Sequence, residues 1–289
     1  MQEQLTPDFG DYELLDTGDF EKLERFGRYV TRRPEPQAIW RRSLAEEEWR
    51  RTADASFRRD ARSDERGEWR LAPGMPDRWV VEYAYKRMRL RMRLGLTSFK
   101  HVGIFPEQAA NWDYAMAKIR AAGRPVSVLN LFGYTGAATV ACAAAGASVC
   151  HVDAAKGMVA WGKENAAASG VADRPIRWIV DDCAKFVERE IRRGRRYDAI
   201  IMDPPSYGRG PGGEVWKLEE QLYSLVTLCK QVLSDNPLFF ILNSYTTGLS
   251  PAVMEYLLGV LLQKDFGGKV SLSLIHISEP TRHAQISYA

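Results

Sequence analysis

The stretch Val126-Ser-Val-Leu-Asn-Leu-Phe-Gly-Tyr-Thr-Gly136 decides how this chain is read. Its first seven residues are nearly all apolar, the pattern of a strand buried on both faces. The glycines that follow permit a tight turn and close approach of a ligand to the backbone. An alanine-rich helix is expected next, over 137–145. The turn is not a dinucleotide fingerprint, because G-x-G-x-x-G is absent, and no Gly-Lys-Ser/Thr follows to make a phosphate loop.

Outward from this unit the same texture repeats. Strands are expected over 147–153, 177–182, 197–203 and 238–243. Helices are expected over 156–169, from 183 to 193, over 215–233, and from Pro251, which suits a first helical turn. Strict β-α alternation predicts an α/β fold whose parallel sheet is covered on both faces. Its ligands then sit beyond the carboxyl ends of the strands. Asn130, Asp153, Asp182 and Asp203 recur at or near those ends and are expected to project toward one rim. At the second strand end, Asp153 can accept both hydroxyls of a ribose, or it can cap the following helix.

The fourth strand closes on Asp203-Pro-Pro-Ser-Tyr207. Pro204 and Pro205 make a rigid loop whose carbonyls face outward with no competing N–H. A carboxylate, a carbonyl and the Tyr207 ring around one spot suit a planar nitrogenous base, held by stacking and by hydrogen bonds to an amino group.

Before residue 125 the sequence is rich in Arg and Trp. A partly exposed helix is expected over 36–62 and a strand over 79–85. Along 87–94, Arg87, Arg89, Arg91 and Arg93 alternate strictly with Met88, Leu90, Met92 and Leu94. That is an amphipathic strand with an arginine stripe. A solvated face and a contact to RNA phosphates both fit it. The local charge leaves both open, since residues 51–100 carry 13 basic against 7 acidic side chains within a chain of net charge +3.

At 45% hydrophobic residues over a length of 289, a disordered or fibrous chain is excluded. No apolar run approaches the roughly 20 residues that span a bilayer. The N-terminal residues lack the basic-then-apolar layout of a secretory signal. Four cysteines without metal or redox spacing read as reduced thiols. A soluble cytoplasmic protein with neither a metal nor a membrane partner is the expectation.

Taken together, Phe105-Pro-Glu-Gln108, Asn130-Leu-Phe-Gly-Tyr-Thr-Gly136, His151-Val-Asp153, Asp181-Asp182 and Asp203-Pro-Pro-Ser-Tyr-Gly-Arg-Gly210 resemble class I S-adenosylmethionine-dependent methyltransferases. The nearest branch is similar to bacterial large-subunit ribosomal RNA methyltransferases. The resemblance runs from about residue 99 to 270 and implies a Rossmann-like fold with S-adenosyl-L-methionine as cofactor. It places Gln108, Asn130, Phe132, Tyr134, Thr135 and Gly136 around the cofactor, with Asp153 on its ribose and Asp182 on its adenine. Asp203, Pro204, Pro205 and Tyr207 would face the acceptor, with RNA as partner. A small β-rich domain over 1–95 would precede the catalytic domain over 96–271. A catalytically silent RNA-binding module of the same fold is the alternative.

Methylation at C5 of a pyrimidine needs a cysteine nucleophile. Ser206 and Asn243-Ser244-Tyr245 stand where relatives place one, so transfer to a nitrogen is favoured. An exocyclic amine and a ring nitrogen both stay open, because Tyr207 comes one residue later than the aromatic of the Asp-Pro-Pro-Tyr amine methylases.

Residues 272–289 read differently. Leu272-Ser-Leu-Ile-His-Ile-Ser-Glu-Pro-Thr-Arg282 resembles an in-frame translation of a transposase sequencing-library adapter, and Ile286-Ser-Tyr-Ala289 its continuation. On that reading the catalytic domain is truncated near residue 271 and the fifth strand is left with an open edge. Alternation alone would make 272–277 a strand.

Overall fold

The computed structural model describes residues 2–4, 8–60, 66–209, 215–245, 248–271 and 273–275. Most of the tail considered above therefore lies outside the described residues. The chain divides into two compact units, built mainly from residues 4–110 and 111–274.

The first unit is β-rich, as expected. Strands β2 (Tyr12–Gly18), β3 (Glu21–Phe26), β4 (Tyr29–Pro34), β5 (Ala55–Arg59) and β6 (Gly67–Leu71) form one sheet in that order. The only helix described between β4 and β5 is α1 (Glu46–Thr52), shorter than the helix expected over 36–62. The buried carboxylate of Asp16 explains the difference. It accepts from the backbone N–H groups of Ser43 and Leu44, at 3.1 and 2.9 Å, and from the Trp49 indole at 2.7 Å. These bonds hold the approach to α1 in an irregular path, while Trp49 packs with Leu23 and Val30. Glu24 and Arg33 are buried together on adjacent strands, 2.5 Å apart. Burial alone would raise the Glu24 pKa, but the Arg33 and Lys22 charges hold it down at about 2.

Strands β7 (Arg78–Tyr85) and β8 (Met88–Gly95) make an antiparallel hairpin. Leu90, Met92 and Leu94 are buried, while Arg89 and Arg91 are exposed. The alternation predicted for the arginine stripe is therefore present. Arg87 lies in the turn before β8, exposed, and Arg93 is half-buried. Arg89 pairs with Glu82 across the hairpin at 3.2 Å.

The second unit carries a five-stranded sheet of order β11-β10-β9-β12-β15. Its strands are β9 (Ser127–Leu131), β10 (Ser148–Asp153), β11 (Ile176–Val180), β12 (Ala199–Met202) and β15 (Phe239–Leu242), all parallel. The helices are α2 (Ala109–Ala121), α3 (Ala137–Ala144), α4 (Lys156–Ala168), α5 (Cys183–Arg192), α6 (Leu218–Lys230) and α7 (Pro251–Leu258), the last running on through a π turn to α8 (Lys264–Phe266). Strand pleating sorts them onto two faces. Leu129, Leu131, Cys150 and Val152 pack with Phe186 of α5 and Leu222 of α6. Asn130 and His151 point the other way, to Thr139 of α3.

Two local readings are corrected here. Residues 215–217 are not the start of the long helix. They form β14 (Val215–Lys217), which pairs with β13 (Tyr207–Arg209) as a hairpin. Helix α2 was not anticipated, because its mixed small and polar residues show little periodicity. Finally, β16 (Ser273–Ile275) pairs with β1 (Gln2–Gln4), so residues 273–275 form a strand, which the adapter reading did not expect. Strand β15 has one described neighbour in its sheet, β12.

Candidate active site

Parallel register brings the strand ends to one rim. Leu131 is level with Val152 and with Met202, Asp153 with Val180, and Met202 with Leu242. The chain leaves β9 and β12 side by side, although β10 and β11 intervene in sequence. Such a reversal of strand order opens a crevice where ligands bind.

The turn after β9 is conformationally costly and heavily pinned. Phe132 and Tyr134 hold positive φ of 55° and 50°, and Gly136 is at 81°. Each non-glycine residue held there costs about 1–3 kcal/mol and persists only where its surroundings impose it. Here they do. The Phe132 N–H donates to Cys183 Sγ at 3.3 Å, the Gly133 N–H to the Val152 carbonyl at 3.0 Å, and the Tyr134 N–H to Asp153 Oδ2 at 2.8 Å. The Thr135 carbonyl accepts from the buried Asn165 amide at 2.8 Å. Behind the turn the His151 ring leaves no room, since a Cβ on Gly133 would lie 2.4 Å from its Cε1. His151 bonds to Thr139 at 3.0 Å, and burial pushes its pKa down to about 3, so the ring stays neutral.

Asp153 is not the N-cap of α4, a place that falls to Ala155; it clamps backbone N–H groups instead. Its Oδ1 accepts from the Ala155 N–H at the start of α4, and its Oδ2 holds the Tyr134 turn. A carboxylate has about four acceptor positions, so room remains for a pair of hydroxyls. Burial raises its pKa against these two backbone donors. The residues present therefore fit a nucleoside-bearing cofactor.

Other expected residues divide. Asp182 is the N-cap of α5, accepting from the Lys185 N–H at 2.9 Å. Asn130 does not reach the rim: it is buried within β9 with its amide on the Thr139 hydroxyl at 2.8 Å. Thr135 and Gly136 are buried parts of the turn, whereas Phe132 and Tyr134 are half-buried. Gln108, buried in the short turn Pro106–Gln108, belongs to the unit of residues 4–110.

At the end of β12, Asp203 is half-buried, Pro204 buried and Pro205 exposed. The outward carbonyl expected at Pro205 is already taken. It accepts from the Trp216 indole at 2.6 Å, and the Trp216 ring lies 5.5 Å from Phe132 of the turn. Tyr207 is 49% exposed, on the hairpin strand β13. Trp216 escaped the sequence reading because residue 215 was taken as the start of a helix. The doubled prolines, which remove two backbone donors, were the available hint that the loop needs an outside anchor. Asn243, beyond β15, accepts from the Asn111 amide at 2.9 Å.

All four cysteines are free and buried. Burial pushes Cys142 and Cys229 up to about 12 and Cys150 to about 11, and raises Cys183 as well. None is poised as a thiolate. Among the described residues, no helix is long and apolar enough to cross a membrane.

A parallel sheet in this order, a pinned glycine turn after its central strand and a carboxylate ending the adjacent strand define a class I methyltransferase. The profile of the S-adenosylmethionine-dependent methyltransferase family matches residues 33–228, and the chain belongs to that family. Its cofactor is S-adenosylmethionine. A SAM-dependent methyltransferase from Agrobacterium tumefaciens is 40% identical, with a TM-score of 0.83 over 89% of this chain and 80% of that one. SMU.776, solved in complex with SAH, has a TM-score of 0.67 over 90% of this chain and 67% of that chain; at 20% identity it shows the fold alone. The ribosomal RNA large subunit methyltransferase K/L of Shewanella sp. strain MR-4 is 30% identical over 149 residues, 50% of this chain. The chain matches about a fifth of that relative's length, 20%.

Proposed function

We propose that this methyltransferase modifies a nitrogen of a base in RNA, with ribosomal RNA as the substrate class. The observation that carries the reading is the Asp203-Pro-Pro-Ser-Tyr207 loop, which leaves β12 beside the turn that follows β9. Bound S-adenosylmethionine supplies a methyl group already activated on a sulfonium. The protein's task is alignment, worth up to roughly 7–11 kcal/mol in favourable cases. Asp203 would accept a hydrogen bond from the acceptor N–H, orienting the nitrogen lone pair, and would take that proton as the N–C bond forms and the sulfonium C–S bond breaks, with S-adenosylhomocysteine as the leaving group. Tyr207 offers an exposed ring for stacking.

Three observations support nitrogen and RNA. Methylation at C5 of a pyrimidine requires a nucleophilic thiolate, and the four thiols are buried with raised pKa values. The ribosomal RNA enzyme of Shewanella is a relative by sequence, and the first unit presents Arg89 and Arg91 on an exposed strand face. The test is transfer of a tritiated methyl group to ribosomal RNA from a strain lacking the gene, followed by nucleoside analysis. An N-methylated base is expected. A C5-methylated pyrimidine, or label confined to protein, overturns the proposal.

A further inference from the structure

Trp216 stands between the two loops of the site. Its indole donates to the Pro205 carbonyl at 2.6 Å, and its ring meets Phe132 at a centroid distance of 5.5 Å and 48° between planes. Pro204 and Pro205 have no N–H, so the backbone of this part of the loop can be hydrogen-bonded only through its carbonyls. The structure supplies a donor to two successive carbonyls there: Trp216 to Pro205, and the Leu218 N–H at the start of α6 to Ser206, at 3.1 Å. The hairpin places both donors, since Gly208 is opposite Trp216 and Tyr207 opposite Lys217. Phe132, on the other side of the indole, is the residue held at a positive φ of 55° by Cys183.

We propose that Trp216 is a positioning residue that sets the acceptor loop 203–207 against the cofactor turn, through its bond to Pro205 and its contact with Phe132. The assignment rests on the reading that this loop faces the acceptor. A half-buried tryptophan that only filled the hairpin would need neither a directed bond to an exposed proline carbonyl nor a ring on the cofactor turn. Removing the indole N–H leaves the Pro205 carbonyl within reach of water, so the cost falls on loop placement and little on stability.

The experiment uses the full chain with Trp216→Phe, which keeps an aromatic ring and deletes the donor. Calorimetry with S-adenosylhomocysteine should give an affinity within about twofold of wild type, because the cofactor turn keeps its own anchors. In the same complex, amide exchange over 203–208 and 215–218 should rise about tenfold or more, while 127–136 stays unchanged. Single-turnover methyl transfer to ribosomal RNA should fall about 10–100-fold with KM within about threefold, the signature of misplacement. Unchanged exchange in the loop, or a loss of S-adenosylhomocysteine affinity as large as the loss of rate, would overturn the assignment. Should wild-type protein leave ribosomal RNA unlabelled, the acceptor proposal fails, and the exchange measurement still decides the role of Trp216.

Discussion

Asp153 is a single side chain asked to do three things: hold the Ala155 N–H ahead of α4, clamp the Tyr134 N–H and, on the proposed reading, receive a ribose. Asp153→Ala should therefore weaken S-adenosylmethionine binding at least tenfold, since hydrogen bonds to a charged group contribute roughly 1.5–3 kcal/mol each. Calorimetry showing unchanged affinity would reduce it to a clamp on the turn. Asp203→Ala should leave affinity nearly intact and abolish transfer, and equal losses in both would show the acceptor role misassigned. Gly133 gives a steric test of the same turn. Gly133→Ala directs a methyl at the buried His151 ring, 2.4 Å away, and overpacking of this kind costs about 1–3 kcal/mol. The variant should melt lower and bind cofactor more weakly, and Gly133→Ala with His151→Ala should recover much of both. If the double variant is no better than the single, the collision is not what excludes a side chain there.

Elements show which sequence signals were sufficient. Near-continuous apolar runs marked β9, β10 and β12 within a residue or two, because a strand buried on both faces carries apolar side chains on each of them. The arginine stripe was equally legible, as a hairpin strand with one wet face must alternate. Its partner is open to measurement. If Arg89 and Arg91 meet phosphates, replacing both with Gln should reduce the log–log salt slope of RNA affinity by roughly 0.7–0.9 per lost contact. An unchanged slope would leave the stripe as solvated surface, with Arg89 paired to Glu82. By contrast, α1 and the 207–217 hairpin were misjudged. Each depends on a partner distant in sequence, the Asp16 carboxylate in one case and the antiparallel pairing of β13 with β14 in the other.

At the scale of the whole molecule, the buried His151 and the half-buried His101 link stability to pH. His151 is held at about 3 and His101 at about 4, in both cases first by burial. Their unfolded value is about 6.5, so the unfolded chain binds more protons between these limits. The stability each neutral ring contributes is complete above about pH 6.5 and is lost as pH falls toward 3 or 4. Urea midpoints should therefore drop on acidification from pH 7 to 4.5. His151→Leu should flatten that dependence by up to about 1.4 kcal/mol per pH unit, the equivalent of one proton. A slope identical to wild type would mean that His151 is not excluded from protonation. The likeness of residues 272–282 to an adapter is decided on nucleotides. The locus amplified from the organism should diverge at or just before Leu272, and an amplicon encoding the same eleven residues in genomic context would refute the likeness.

The sequence by itself determined the layers. Periodicity is a local property, so the alternation of buried strands and helices, the Rossmann-like class and the carboxylates near strand ends were all visible in order along the chain. Only the tertiary structure decided how the site is held. Whether Asn130 faces the rim or Thr139, whether Pro205 offers its carbonyl or surrenders it to Trp216, and why Phe132 tolerates a left-handed backbone are questions of which groups meet across the fold. Those meetings join residues 9 to 51 positions apart, and hydrogen-bond satisfaction at such separations leaves no periodic trace in a single sequence.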